Sequence, residues 1–191
     1  MFGSSSGHLL QGDSKAWIDA DNPDTRFLTY SAARLLAKRV AAGLIKSGLQ
    51  PGDRVLVISS NSVVFPAVML GICMAGGIFT GANPGLMTRE LAFQLRDSEA
   101  KLMLAAECCW DIAVEAGSMV GLAKDKIFLL DGNIPGLDPD RPVSPQHWEM
   151  LLAPVDIAEG FEWEEPADSR EATCTLNYSS GTVRISNGDS C

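Results

Sequence analysis

A hydroxyl-rich bend lies close to the end of the chain. Ala172, Cys174, Leu176 and Tyr178 alternate with Thr173, Thr175 and Asn177, the period of two of a β-strand. That strand runs straight into Ser179-Ser180-Gly181-Thr182. Such a bend can cradle phosphate. Its hydroxyls and freed backbone N–H groups donate to phosphate oxygens, and a glycine lets the main chain approach closely. The same four residue types also occur in plain turns. The spacing GxxxxGK[ST] is absent, and no GxGxxG follows the apolar run Arg54–Ser59, so neither a P-loop nor a dinucleotide site has support.

The remaining chemistry-bearing residues point to packing. Cys73, Cys108, Cys109, Cys174 and Cys191 show no CxxC spacing, and His8 and His147 are the only histidines, which is a poor zinc set. An odd number of cysteines without a secretory leader indicates a reducing, cytoplasmic compartment. Vicinal Cys108-Cys109 reads as a small buried pair near a helix start rather than a redox site. His147, beside Trp148 in a proline-rich stretch, has no neighbour in sequence to act on and reads as surface packing. Met69, Cys73 and Met74 at helical spacing read as core filler. Glu159–Glu171 holds six acids against Arg170 and reads as a solvated linker rather than a metal site.

These residues must be positioned by a globular chain. The 191 residues are 46% hydrophobic and 20% charged, enough to bury a core without disulfides or metals. The net charge is −9, and residues 131–191 carry all of it, with 12 acids against 3 bases. That balance argues against a nucleic-acid partner. From Val55 to Thr88 there is no charge at all. Pro66, Gly71, Gly76, Gly77 and Gly81 punctuate that stretch, so residues 63–82 read as a buried helix and strand rather than a membrane span.

The clearest element is a helix from Thr29 to Ser47, with Ala32, Leu36, Val40 and Leu44 on one face, Thr29 as N-cap and Gly48 just past the end. Strands are expected at 54–59, 77–81, 101–105, 126–130 and 172–178. Helices are expected at 62–76, from a cap at Thr88, and at 108–121. Helix and strand alternate at βαβ spacing, so the fold class is α/β with a mainly parallel sheet flanked by helices. Residues 132–170 read as a long surface excursion with one helix around His147–Leu152.

Seven spaced segments follow one another in the chain: Leu28-Thr29-Tyr30, Gly48 to Val57, Asn61-Ser62 with Phe65, Gly71 to Gly77, Ala82-Asn-Pro84, Thr88 with Glu90-Leu91, and Tyr178 to Thr182. Their order resembles the adenylate-forming family of acyl-CoA synthetases, 4-coumarate–CoA ligases and luciferases, and most of all its coumarate-ligase-like branch. The resemblance implies a two-step ligase. A carboxylate reacts with Mg2+-bound ATP to give an acyl-adenylate, and coenzyme A then displaces AMP. Ser179, Ser180, Gly181 and Thr182 match the first half of the family's phosphate loop. The second half, Thr-Gly-x-Pro-Lys-Gly, is lost: Arg184 stands where Gly is expected, Asn187 where Lys is expected, and only Gly188 is in register.

The resemblance thus implies an incomplete N-terminal portion of the adenylate-forming large domain. Residues 1–24 are a lead segment, 25–182 a partial AMP-binding domain, and 183–191 a divergent tail. The expected function is a truncated carboxylate–CoA ligase, inactive as this chain alone, with aryl or fatty carboxylates as the family's substrates. No catalytic residue can be assigned, and no peroxisomal C-terminal signal is visible. The alternative is a non-catalytic interaction module that self-associates through exposed apolar faces.

Overall fold

The computed structural model describes residues 13–138 and 140–178. An antiparallel pair opens them, β1 (Lys15–Ile18) and β2 (Phe27–Thr29), which sequence patterning missed because both strands are short and half-exposed. The helix α1 (Tyr30–Lys46) begins as expected, with Thr29 Oγ1 accepting from the Ala32 N–H at 3.1 Å. Gly48 follows its end at φ +96°, a conformation glycine adopts without penalty.

Then come β3 (Arg54–Ile58), α2 (Phe65–Met74), β4 (Ile78–Ala82), α3 (Thr88–Ser98), β5 (Leu102–Ala105), α4 (Trp110–Val120), β6 (Ile127–Leu129), α5 (Val155–Glu159) and β7 (Thr175–Asn177). The five strands β6-β5-β3-β4-β7, in that order, form one wholly parallel sheet. The apolar run in β3 is continuous because both faces are covered. Val55 and Val57 pack with α1 and α2, while Leu56 and Ile58 pack with α3 and α4. The chain leaves β3 for β4 by way of α2, then crosses back over β3 by way of α3 to reach β5. Right-handed crossovers in opposite directions along the sheet place these helices on opposite faces.

Two close approaches fix the α1 layer. A Cβ on Gly71 would lie 2.5 Å from Val40 Cβ, so glycine lets α2 press on α1. A Cβ on Gly43 would lie 1.5 Å from the Leu151 carbonyl oxygen, so glycine also admits the backbone of residues 151–153. There Arg39 Nε donates to the Ala153 carbonyl oxygen at 2.9 Å, and the Ala153 N–H donates to the Arg39 carbonyl oxygen at 3.0 Å. Opposite, buried Gln94 on α3 donates to Thr80 Oγ1 at 3.2 Å and to the Gly81 carbonyl oxygen at 3.0 Å.

Several expectations need correcting. Met87, not Thr88, is the residue before α3; its N–H donates to Glu90 Oε2 at 2.8 Å, and Thr88 Oγ1 reaches across to Glu115 on α4. The stretch 132–170 is not merely a surface excursion. Leu129 pairs with His147 in a parallel bridge, a 3-10 turn covers Trp148–Leu151, and α5 packs on α1. Trp148 is 1% exposed, inside the α1–α2 core. Residues 63–82 form α2 and β4, and no helix among the described residues is long and apolar enough to cross a membrane.

Candidate functional site

A polar cleft of about 370 Å³ opens at the carboxyl end of the sheet. Its position follows from the topology. The chain leaving β3 turns toward one face and the chain leaving β5 toward the other, which parts the loops and opens a crevice between them. Ser59, Ser60, Asn61 and Ser62 line one side, and Ala106, Glu107 and Cys108 the other. Leu130, Asp131 and Gly132, past β6, close the third side, with Asp19 and Arg26 from the opening hairpin. Ser62 Oγ is buried among them and has no hydrogen-bond partner.

The wall at Asp131 is a fixed polar network. Asp131 Oδ2 accepts from Arg141 Nη1 at 2.6 Å and lies 3.1 Å from His147 Nε2. Asp131 Oδ1 accepts from Trp148 Nε1 at 3.3 Å and from the Asn133 N–H at 3.2 Å. Arg141 also pairs with Glu149, whose own N–H donates to His147 Nδ1 at 3.3 Å. The imidazole therefore accepts at Nδ1 and donates from Nε2 to Asp131. Burial pushes the Asp131 carboxyl up, but the Asn133 side chain and N–H and the His147 ring outweigh it and hold the group below the usual aspartate range.

His147 is 2% exposed, so its reading as surface packing is overturned. Its partners are Asp131 just past β6, Arg141 earlier in the chain and Glu149 two residues on, and no spacing rule pairs a histidine with an aspartate sixteen positions away. The proline-rich setting concealed a buried cluster. The Cys108-Cys109 reading is half right: Cys109 is buried, whereas Cys108 is exposed on the cleft. Cys73 Sγ donates to the Cys174 carbonyl oxygen at 3.6 Å, while Met69 and Met74 pack against the core as filler.

Ser179, Ser180, Gly181 and Thr182 lie outside the described residues. The strand leading to them is described. β7 runs parallel to β4, with Thr80 opposite Leu176 and Gly81 opposite Asn177, so the chain leaves the sheet at its carboxyl edge. Tyr178 is anchored there, its hydroxyl donating to Asp97 Oδ2 on α3 at 2.6 Å. Burial, and then the Asp97 carboxylate, push this phenol up to about 12. The described cleft itself does not suit a triphosphate. It presents Asp19, Glu107 and Asp131 against Arg26, and Arg26 is already paired with Asp19 at 3.0 Å. Like charge would repel bare phosphate, whereas a neutral polar or cationic group could use the serines and carboxylates.

The family model described as AMP-binding enzyme matches residues 10–183. The chain belongs to the AMP-binding enzyme family. It is 31% identical over 173 residues to the phenylacetyl-CoA ligase epaB of Aspergillus niger, a match covering 91% of this chain and 31% of that protein. It is 33% identical over 164 residues to 4-coumarate–CoA ligase-like 9 of Oryza sativa subsp. japonica, covering 85% and 27% respectively. The fold matches the long-chain-fatty-acid-CoA ligase FadD1 from Archaeoglobus fulgidus with a TM-score of 0.71 at 19% identity, covering 89% of this chain and 32% of that one. The anthranilate CoA ligase AuaEII in complex with anthranoyl-AMP matches with a TM-score of 0.67 at 21% identity, covering 90% and 29%. The chain thus spans under a third of the length of the curated relatives it matches.

Proposed function

We propose that this chain is part of a carboxylate–CoA ligase that activates an aryl carboxylate with Mg2+-bound ATP and transfers the acyl group to coenzyme A. The observation that supports the reading is the parallel seating of β7 beside β4, which brings the chain to the carboxyl end of the sheet at Tyr178, the residue that precedes Ser179-Ser180-Gly181-Thr182 in sequence. The names of the relatives, a phenylacetyl-CoA ligase and a coumarate–CoA ligase-like protein, support an aryl rather than a long fatty substrate. Free thiols at Cys73, Cys108, Cys109 and Cys174 support a reducing, cytoplasmic setting.

Residues 1–191 alone are proposed to be inactive. Adenylation depends on charge stabilisation and on positioning by several groups at once. Asn187 and Arg184 depart from the loop the resemblance implies, and the described cleft is acidic. The test is carboxylate-dependent pyrophosphate release with ATP, Mg2+, coenzyme A and a panel of aryl and fatty acids. Residues 1–191 should give none, and a longer transcript that restores Thr-Gly-x-Pro-Lys-Gly after Thr182 should give turnover with aryl acids. Robust turnover by residues 1–191 refutes the inactivity, and a restored product inert toward every acid refutes the ligase.

A second reading, a non-catalytic module that pairs with another copy, is favoured by one feature. β7 ends the sheet, and its outer edge has no partner strand among the described residues. Beside its start, an apolar groove of about 900 Å³ runs between α2 and residues 161–174.

A further inference from the structure

The turn that leaves β5 carries two thiols in succession at the mouth of the polar cleft. Cys108 and Cys109 belong to the 3-10 turn Glu107–Cys109 that leads into α4. Their sulfurs are 3.7 Å apart, about van der Waals contact. The two environments are unequal. Cys108 is exposed and lines the cleft, whereas Cys109 is 1% exposed, packed in the α3–α4 core, with its Sγ donating to the Pro84 carbonyl oxygen at 3.8 Å. A solvent oxidant meets only the first sulfur, and the second lies within reach of whatever forms there.

We propose that Cys108 and Cys109 form a reversible redox-modification site, in which a hydroperoxide oxidises Cys108 and Cys109 resolves it as a vicinal disulfide. In the first step the Cys108 sulfur attacks the terminal peroxide oxygen and the O–O bond breaks. The departing oxygen takes up the Cys108 proton and leaves as an alcohol, or as water from hydrogen peroxide. Cys108 is then a sulfenic acid. In the second step the Cys109 sulfur attacks the Cys108 sulfur and the S–O bond breaks. The hydroxide leaves with the Cys109 proton as water. Two thiols and one hydroperoxide become one disulfide, one alcohol and one water, and the inference stands whether or not the ligase reading does.

The geometry favours a switch over a staple. Successive Cα atoms across a trans peptide are about 3.8 Å apart, below the roughly 4.4–6.8 Å usual for disulfides. The bond is therefore strained and readily returned to thiols. Burial, reinforced by the neighbouring Cys108 thiol, pushes Cys109 up to about 11, which keeps it protonated and spares it the first attack. Closing the bond draws Cys109 Sγ from the Pro84 carbonyl and removes the Cys108 thiol from the cleft wall. Cys73 makes a useful internal comparison, because its thiol faces the Cys174 carbonyl oxygen.

Treatment of residues 1–191 with hydrogen peroxide, followed by tryptic peptide mass mapping, tests the proposal. Peptide 102–124 holds both cysteines, and in the wild-type protein it should lose two hydrogens before Cys73 or Cys174 is modified, and regain them with dithiothreitol. In Cys109→Ser or Cys109→Ala, a sulfenic acid on Cys108 should persist and be captured by dimedone. In Cys108→Ser, Cys109 should stay reduced. Dimedone capture on wild-type Cys108 without the loss of two hydrogens overturns the proposal. So does a peptide that stays reduced while Cys73 or Cys174 is oxidised. Because the decisive comparison is made within the wild-type chain, a poorly folding variant leaves it intact.

Discussion

Asp131 stays ionised because its neighbours outbid its burial. Arg141, His147, Trp148 and Asn133 all present hydrogen-bond donors to it, and Glu149 completes the cluster on the far side of Arg141. With its folded value lowered, the unfolded chain takes up a proton in the ordinary aspartate range, near pH 4, while the folded chain does not. This contribution to stability is thus fully present above that range and is lost as the pH falls through the folded value. Urea unfolding of wild type and Asp131→Asn between pH 2 and 7 should show a shallower acid slope in the variant. At neutral pH the variant should lose about 2 kcal/mol, the scale of a charged hydrogen bond. Parallel acid limbs in the two proteins would remove Asp131 from the account. None of this cluster was visible in sequence, because its members span residues 131–149 without periodicity and only folding faces them inward.

The elements obey local rules more faithfully. α1 was readable from the spacing of Leu36, Val40 and Leu44, its Thr29 cap and Gly48, which act within a few residues of one another, although Ala33 rather than Ala32 faces the core. β3 was readable as a doubly buried strand from unbroken apolarity. Gly43 and Gly71 were different: within a helix they look like mild defects, and only packing reveals why no side chain fits. Gly43→Ala should destabilise the fold by roughly 1–3 kcal/mol through overpacking against residues 151–153. A thermal melt of the purified variant checks this, and an unchanged midpoint would mean that α1 and the Leu151 backbone separate without cost. β1, β2 and α5 escaped sequence reading because short elements draw their stability from neighbours rather than from their own pattern.

At the scale of the whole molecule, the β7 side of the sheet has no partner strand among the described residues. β7 offers the outward backbone groups of Thr175 and Asn177 to any chain that can add a strand. Apolar residues at the neighbouring groove, including Ile45 and Trp163, add contact area. Sedimentation velocity of residues 1–191 should therefore show a weight-average mass that rises with concentration. Replacing Thr175 by Pro, whose N–H faces away from β4, removes a donor from the open edge and should reduce that rise. A monomer that melts cooperatively at every concentration would count against an adhesive edge.

The sequence by itself determined the alternating α/β order, the apolar central strands, the long helix and the kinship carried by spaced segments. These depend on interactions between residues close in the chain, or on patterns that burial imposes strand by strand. Tertiary structure decided the strand order, the place of the cleft between the loops after β3 and β5, the burial of His147 and Trp148, and the unequal exposure of Cys108 and Cys109. Those properties arise where segments far apart in sequence meet, and proximity of that kind leaves no local periodicity to read.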